Sequence, residues 1–370
     1  MHLFIVSEST LPIHLAYGFA GVRKENDFSW SNVDGIHASN ERAQAALYAD
    51  VCRVHAGDEI LFYLERPSAD ISREGGRFFG IFEVLSPYPF YEPKGAYLLA
   101  ELGMPLPYRL LIKPKVVYRE GLTEWQLMDE MTDFQSVFEI PWTLIYRKMT
   151  AKRGCTPLLP HESEIIKRML DLRNAGQVLG ASKVGFAHET ISLSPSTQQR
   201  PYLGDTLLFD RIDRRLMDLM NHTDRSFELH LQAYFMQELK RNTKLTSLLF
   251  PGVEITWIGN EIYCGAGMQS IDILIYTKNK YNTFIHLWEL KSQEADEQAA
   301  AQLNRYIKWL KAHVPGISVH QIIPTIVAPE VRDSFRADLQ IFLKGHGIAH
   351  YREVRFDCCL NFVQQMRSVY

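Results

Sequence analysis

Residues Ser270–Lys291 read S-I-D-I-L-I-Y-T-K-N-K-Y-N-T-F-I-H-L-W-E-L-K, and the predicted fold of the second half of the chain is organised around them. Two apolar runs flank the polar segment T-K-N-K-Y-N, a pattern that predicts two buried strands joined by a hairpin. Folding that hairpin about Lys280–Tyr281 places Asp272 across from Glu289. Side chains two apart on a strand share a face, so Glu289 and Lys291 point the same way. The sequence therefore predicts two carboxylates and an ammonium group at one end of a sheet.

These charges favour a hydrolytic metal site. Charged side chains are rare in strands this apolar unless they have partners or a function. Carboxylate oxygens are the ligands that Mg²⁺ (or Mn²⁺) prefers, and a neighbouring lysine can orient a metal-bound water. The structural alternative is that Glu289 and Lys291 form a solvated pair at a sheet edge and that Asp272 caps a strand end.

Asp272 and the later E-L-K (289–291) resemble the D…(D/E)-x-K signature of the PD-(D/E)XK nuclease superfamily. Ahead of the hairpin, the helical segment S-F-E-L-H-L-Q-A-Y-F-M-Q-E-L carries Glu228, where that superfamily often has an additional acidic residue. Glu238 lies in the same segment, and the sequence leaves open which of the two faces the site.

The segment A-A-A-Q-L-N-R-Y-I-K-W-L extends the resemblance downstream, because Gln302 and Tyr306 are four apart and share a helical face. From about Arg211 to the C-terminus, the chain is similar to NucS-type mismatch and single-strand endonucleases and to RecB-like nucleases. The catalytic set that this resemblance implies is Glu228, Asp272, Glu289, Lys291, Gln302 and Tyr306. The resemblance implies that the three acids hold Mg²⁺ (or Mn²⁺), that the lysine assists the nucleophile, and that the last two residues support the site.

The composition is that of a globular protein with room for two domains. The chain has 370 residues, of which 46% are hydrophobic and 22% charged, and its net charge is −3. No run of roughly 18 apolar residues predicts a membrane span, and the N-terminal M-H-L-F-I-V-S-E-S-T does not have the form of a signal peptide. Five cysteines without a C-x-x-C pair favour a reducing, cytoplasmic setting.

The first part of the chain predicts a small, strongly bent sheet or barrel with a few helices. A strand at 2–6 is followed by the helical N-E-R-A-Q-A-A-L-Y-A-D-V and by the strands G-D-E-I-L-F-Y and G-R-F-F-G-I-F-E-V. With W-T-L-I-Y-R-K-M-T-A-K-R-G-C-T-P (142–157), this order resembles the PUA-like group, which includes the EVE, ASCH and YTH domains. The resemblance implies nucleic-acid binding, and several such domains hold a flipped, modified base.

A flipped base is held by stacking on aromatic rings. The aromatic side chains available for such a pocket are Trp30, Tyr88, Phe90, Tyr91, Trp125 and Trp142, and Trp30, with its polar neighbours, is the preferred candidate. Each is otherwise an ordinary core residue. A basic cluster suited to phosphate contacts, or simply a solvated loop, comprises Arg147, Lys148, Lys152 and Arg153.

The predicted fold class is α/β with two domains: a PUA-like bent β-barrel with helices (1–172), a linker of Gly, Ser, Thr, Gln and Pro (173–206), and a restriction-endonuclease-like α/β core (207–370). The predicted elements of the core are a helix (226–240), strands (253–258, 261–264, 270–277, 283–291), a helix (295–313), a strand (317–327), a helix (330–345), a strand (348–354) and a helix (359–368).

The sequence thus predicts a metal-dependent DNA endonuclease, and two alternatives remain. The preferred hypothesis is a modification-dependent restriction enzyme whose first domain captures a modified base. The second is a structure-specific repair endonuclease of the NucS type, although that group has a different N-terminal domain. The third is a non-catalytic nucleic-acid-binding protein, and RNA stays open as a substrate. We expect a homodimer, because cutting both strands commonly needs two active sites, and no membrane partner.

Overall fold

The computed structural model describes residues 1–23, 38–65, 76–128, 137–150, 154–180, 183–193, 200–209, 211–221, 226–241, 243–265, 267 and 269–370. The strands in these residues are β1 (His2–Val6), β2 (Phe19–Val22), β3 (Glu59–Leu64), β4 (Arg77–Val84), β5 (Phe90–Tyr91), β6 (Tyr108–Val116), β7 (Leu122–Thr123), β8 (Cys155–Pro157), β9 (Val184–Ala187), β10 (Thr190–Leu193), β11 (Leu207–Leu208), β12 (Glu254–Cys264), β13 (Gln269–Lys278), β14 (Thr283–Leu290), β15 (Ile322–Ala328), β16 (His350–Phe356) and β17 (Phe362–Ser368). The helices are α1 (Leu11–Tyr17), α2 (Ala38–Cys52), α3 (Leu99–Leu102), α4 (Glu124–Met128), α5 (Trp142–Thr150), α6 (Pro160–Arg173), α7 (Asp213–Met220), α8 (Glu228–Glu238), α9 (Lys244–Leu249), α10 (Glu297–His313) and α11 (Asp333–His346).

The chain forms two compact α/β units whose segments alternate along the sequence. The first unit comprises 1–28, 54–141 and 151–209, and the second comprises 29–53, 142–150 and 210–370. The predicted boundaries at 172 and 207 differ from this division, because α2 packs against α8 and α5 against β12. Two helices from the front of the chain thereby belong to the second unit.

The first unit is built on one sheet with the strand order β11-β5-β6-β4-β3-β1-β8, in which β2 also pairs with β6 and β7 with β4. β1 and β3 are parallel, and the other pairs are antiparallel. Phenylalanines of β3 and β4 are fully buried and form part of the core of this unit. The PUA-like barrel stays a prediction for this unit.

The segment predicted as a linker contains regular structure. β9 and β10 form a two-stranded antiparallel hairpin, in which Val184, Phe186 and Ile191 are buried. Further on, the Tyr202 hydroxyl accepts a hydrogen bond from Arg109 (Nη1, 3.0 Å), whose side chain is fully buried. Although the segment is polar in composition, its few apolar and aromatic side chains pack within the first unit.

The second unit is a six-stranded sheet in the order β12-β13-β14-β15-β16-β17. β12, β13 and β14 form an antiparallel meander, β15 and β16 join it in parallel, and β17 closes it antiparallel to β16. α8, the meander, α10 and the returning strand β15 follow the predicted order of a helix, a meander, a helix and a strand.

Two elements of this unit differ from the prediction. The strands expected at 253–258 and 261–264 form one continuous strand, β12. Where the two predicted strands meet, Asn260 is buried and hydrogen-bonded, and Glu261 continues the strand with a φ of 50°. The helix expected at 359–368 is the strand β17. Asp357 accepts hydrogen bonds from the amides of Cys359 and Asn361, and this turn folds β17 back along β16. Strand pairing here overrides local helical periodicity.

Among the described helices, none combines the length and the hydropathy that crossing a bilayer requires.

Candidate active site

The end of the β13–β14 hairpin brings together the residues that the sequence singled out. Ile273 pairs with Trp288, so the next position along sets Asp272 across from Glu289, in the predicted register. The amide of Leu290 donates a hydrogen bond of 2.7 Å to Asp272 Oδ2. Since β14 lies between β13 and β15, the Glu289 side chain is buried, with 1% of the residue exposed. This burial excludes the alternative of a solvated edge pair.

Lys291 connects the hairpin to the following helix. Its Nζ donates to Glu289 Oε1 at 2.7 Å and to Gln302 Oε1 at 3.0 Å. Gln302 is presented by α10, whose N-terminus is capped by Asp296 through the amides of the first turn. Tyr306 lies one turn further along the same helix and is buried. The ammonium group is thus held between a strand carboxylate and a helix amide.

The electrostatics of this cluster oppose the ionised carboxylates. Burial raises the pKa of Glu289 to about 7, with Lys291 and the Tyr306 hydroxyl opposing the effect and the charge of Glu228 adding to it. Burial, with the charges of Glu289 and Glu261, raises the pKa of Asp272 well above its ordinary value. Desolvation lowers the pKa of Lys291, but the charge and the hydrogen bond of Glu289, together with the charges of Glu228 and Asp272, outweigh it, so the net shift is upward. A site with two disfavoured carboxylates is one that a cation would stabilise.

Burial raises the pKa of the Tyr306 hydroxyl, and the charges of Glu289 and Asp272 raise it further. Tyr306 is therefore a neutral phenol within the field of both carboxylates.

Glu228 is the first residue of α8, and it holds the end of β14. Its Oε1 accepts hydrogen bonds from the Ser292 amide at 3.1 Å and from Ser292 Oγ at 3.4 Å. No three His, Cys, Asp or Glu side chains in the described part of the chain are grouped closely enough to hold a metal ion. Glu228 thus holds the strand end beside the carboxylate pair of Asp272 and Glu289, and its role as a third metal ligand stays a prediction.

The chemistry of this pair fits Mg²⁺. Glu289 Oε2 is buried and has no hydrogen-bond partner among the described residues. An unpaired buried carboxylate oxygen is costly unless something binds it. Mg²⁺ is usually bound through one or two carboxylates while it keeps several waters and substrate phosphates, so two acids suffice.

Sequence reasoning missed the polar residues behind the hairpin. Gln232 Nε2 donates to the main-chain oxygen of Asp272 at 3.0 Å and to Glu261 Oε1 at 3.1 Å. Gln232 Oε1 accepts from Asn260 Nδ2 at 3.1 Å. The signal was present in the sequence as single polar residues inside the apolar strings L-H-L-Q-A-Y-F and W-I-G-N-E-I.

Among the residues predicted to bind nucleic acid, those with described side chains are divided between the two units. Phe90 is buried in β5 against the ring of Tyr202, so stacking on a base would require the core to open. Tyr88 is exposed in the same unit, beside His55. Trp142 belongs to the second unit, where it stacks on Tyr146.

Two further aromatic candidates lie in the first unit: Tyr91 in β5, where its ring contacts that of Tyr108, and Trp125, which is exposed in α4. The remaining candidates have no described side chain. Trp30, Lys152 and Arg153 lie outside the described residues, and for Arg147 and Lys148 only the backbone, in α5, is described.

No protein-family model and no curated protein matches the chain. Solved structures similar to it include a repair endonuclease from Pyrococcus abyssi, with 21% identity over 29% of this chain and 41% of that chain and a TM-score of 0.22. A complex of EndoMS with double-stranded DNA matches with 19% identity over 30% of this chain and 39% of that chain, at a TM-score of 0.21. The MspJI restriction endonuclease in complex with a 27-mer oligonucleotide matches with 13% identity over 93% of this chain and 71% of that chain, at a TM-score of 0.19.

The chain spans about two fifths of the length of the first two of these proteins. The first is described as a repair endonuclease and the third as a restriction endonuclease. At these TM-scores the likeness carries no argument about fold or activity, so we infer function from this chain's own side chains.

Proposed function

We propose that the second unit is a metal-dependent DNA endonuclease with Asp272, Glu289 and Lys291 at its active site. The observation that carries the proposal is the position of Lys291 Nζ, 2.7 Å from a buried Glu289 whose second oxygen has no hydrogen-bond partner among the described residues. A purely structural ion pair gains nothing from such an oxygen or from a second carboxylate beside it. A hydrolytic site gains a cation ligand from each.

In this mechanism Asp272 and Glu289 would hold Mg²⁺ (or Mn²⁺). When bound, the ion supplies Lewis-acid polarisation of the scissile phosphate and a water of lowered pKa. The Leu290 amide keeps the Asp272 carboxylate oriented, and the neighbouring strands keep bulk water away from Glu289.

Lys291 has three N–H donors, of which Glu289 and Gln302 take two. The third has no acceptor among the described residues, and it would orient the attacking water or neutralise charge on the phosphate as it develops. Gln302 prevents the ammonium group from rotating away from that position. The side chain of Lys291 thus acts as an electrostatic stabiliser with a fixed direction.

A plasmid-cleavage assay with Mg²⁺, Mn²⁺ or EDTA tests the proposal. Asp272→Asn and Lys291→Met should each lower the rate about 100-fold or more. Lys278→Met is the matched control, because Lys278 is an exposed lysine at the other end of the same hairpin, and it should cleave normally. Unchanged cleavage by Asp272→Asn would remove the proposal, and a metal titration that does not depend on Asp272 would favour a non-catalytic binding protein.

For the first unit we propose that it reads a modified base, which would make the protein a modification-dependent restriction enzyme. The support is the PUA-like resemblance of its strand order. Cleavage of modified and unmodified duplexes decides between this and the repair alternative, since equal rates on both, with faster cutting of mismatched or flapped DNA, would favour repair. Sedimentation with and without DNA tests the expected homodimer.

A further inference from the structure

A chain of buried polar side chains runs through the second unit to the back of Asp272. Arg53, which follows α2, and Asn260 on β12 have no exposed surface, and Gln232 on α8 is 1% exposed. Burial of so many polar groups is unfavourable unless every donor meets an acceptor. The hydrogen bonds among these side chains therefore show which residue fixes the orientation of the others.

The guanidinium of Arg53 fixes the direction of the amide of Asn260. Arginine can only donate, and Arg53 Nη1 donates both to Asp50 Oδ1 at 2.9 Å and to Asn260 Oδ1. Asn260 Nδ2 must then be the donating end. It donates to Asp50 Oδ1 at 3.0 Å and to Gln232 Oε1 at 3.1 Å.

The same logic fixes Gln232. Since its Oε1 accepts from Asn260, its Nε2 faces the hairpin and donates to the main-chain oxygen of Asp272 at 3.0 Å and to Glu261 Oε1 at 3.1 Å. Ser270 Oγ holds the other oxygen of Glu261 at 3.1 Å. A single amide thus ties α8 to both acids of the β12–β13 pair.

Glu261 is held in an unfavourable backbone conformation. It lies within β12 with a φ of 50°, a region that residues other than glycine seldom adopt. Asn260 pairs with Ile273 and Ile262 with Ile271, so Asp272 is the residue across from Glu261. Like charges opposite each other on neighbouring strands are destabilising. Both features persist because the surrounding hydrogen bonds hold Glu261 in place.

We propose that Gln232, oriented by Arg53 and Asn260, is a positioning residue that sets the place of Asp272 in the active site. The inference rests on the proposed nuclease function. Gln232 acts through the main chain at Asp272 and through the side chain of the neighbouring acid, Glu261. A purely structural role would give Gln232 the same effect on stability as other buried glutamines of α8, without an effect on the metal or on turnover.

The substitution Gln232→Glu tests this role with almost no change of shape. A carboxylate at position 232 can still accept from Asn260, but it cannot donate to Asp272 O and it adds a charge beside Glu261. The matched control is Gln237→Glu on the same helix: Gln237 is 2% exposed, and its Oε1 accepts from the Ile212 amide, a bond that a carboxylate keeps.

We expect Gln232→Glu to lower kcat by 10- to 100-fold, the range seen when groups that orient a metal ligand are changed, with KM for DNA unchanged. Ca²⁺ affinity, measured by calorimetry on the full chain without DNA, should fall by the same factor. Gln237→Glu should leave kcat and Ca²⁺ affinity unchanged, although both variants can lose stability.

The double variant Gln232→Glu/Glu261→Gln supplies a rescue. The new amide at position 261 can donate to the new carboxylate at position 232, which restores one hydrogen bond and removes one charge. We expect it to recover about tenfold of the lost kcat and Ca²⁺ affinity, since coupled neighbours are non-additive. If the double variant has no higher kcat or Ca²⁺ affinity than Gln232→Glu, the positioning role of Gln232 is overturned.

Asp272→Asn distinguishes a failure of the proposed nuclease site from a failure of the positioning role of Gln232. If Asp272→Asn still cleaves, the proposed nuclease site is wrong. If Asp272→Asn is inactive and Gln232→Glu behaves like Gln237→Glu, the nuclease proposal stands and the positioning role is refuted.

Should Gln232→Glu fail to fold, Ser270→Ala replaces it, because it removes only the second hydrogen bond to Glu261. Its control is Thr256→Val, which removes an exposed hydroxyl from the same strand pair, away from the site. Weaker Ca²⁺ binding by Ser270→Ala alone supports the inference, and equal binding by the two variants overturns it.

Discussion

The raised pKa of Glu289 makes the free energy of unfolding of the second unit depend on pH, and Glu289→Gln should remove this dependence. The carboxyl has a pKa of about 7 in the folded chain, against an ordinary 4.5, chiefly because it is buried. The folded state therefore binds this proton more tightly than the unfolded state. Glu289→Gln keeps the shape of the side chain and abolishes the titration.

The sign and size of the effect follow from proton linkage. Between pH 4.5 and 7 the folded chain holds a proton that the unfolded chain has released, so the free energy of unfolding falls as pH rises. The shift corresponds to about 3 kcal/mol, present in full below pH 4.5 and lost above pH 7. Asp272, whose pKa is also raised, contributes a slope of the same sign.

Buried histidines contribute the opposite slope, so only a difference between variants is diagnostic. The lowered pKa values of His161 and His286, both caused mainly by burial, make the folded state lose stability as pH falls through 6.5. These residues are common to the wild type and to Glu289→Gln. Subtracting the two curves therefore isolates Glu289 and its effect on Asp272.

The assay is urea unfolding at half-unit steps from pH 4.5 to 8, followed by hydrogen exchange of β14 peptides so that the second unit is observed on its own. The advantage of Glu289→Gln over the wild type should grow by about 3 kcal/mol across this range. Glu254→Gln, which replaces an exposed carboxylate at the start of β12, should show no such growth. Parallel curves for the wild type and Glu289→Gln would refute the assignment of a protonated, buried carboxyl.

Three further outcomes follow from the same structure. Asp272→Asn should abolish cleavage and raise the free energy of unfolding by about 1–3 kcal/mol at pH 8, because it removes a carboxylate that Glu289 repels. Urea unfolding measures this change, and a loss of stability would contradict it. Lys291→Met should cost about 2 kcal/mol at pH 8 and less at pH 6, where Glu289 can take up a proton; equal costs at both pH values would be evidence against the ion pair. In the first unit, Arg109→Lys should lower the free energy of unfolding by about 2 kcal/mol, because lysine cannot keep all the hydrogen bonds to two main-chain oxygens and a tyrosine hydroxyl. Thermal unfolding measures this loss, and an unchanged Tm would contradict it.

The centre of the site could be predicted because its geometry is local. The hairpin turn at Lys280–Tyr281 fixes the register, and the register puts Asp272 across from Glu289. A strand alternates its faces, so Lys291 had to accompany Glu289. The contact with Gln302 needed α10 to pack at one particular height, which periodicity does not give and which only the family resemblance suggested.

The surroundings of the site could not be predicted because their contacts are distant along the chain. Arg53 and Asn260 are 207 positions apart, and α2 had been assigned to the other domain. Nothing in the local sequence of α2 indicates that it packs on α8. The strand β17 was missed for the same reason, since its pairing with β16 decided its conformation.

The local rules that the chain violates are concentrated around one pair of strand ends. Glu261 has a left-handed backbone within a strand, Asp272 stands across from it, and Glu289 Oε2 is buried without a hydrogen-bond partner among the described residues. Each feature lowers stability, and each could be relieved by a single neutral substitution. Sequences that fold well depart from local consistency mainly where function requires it. Three such departures at one place agree with the proposed cation site, and an amide at 272 or 289 should trade cation binding for a more stable unit.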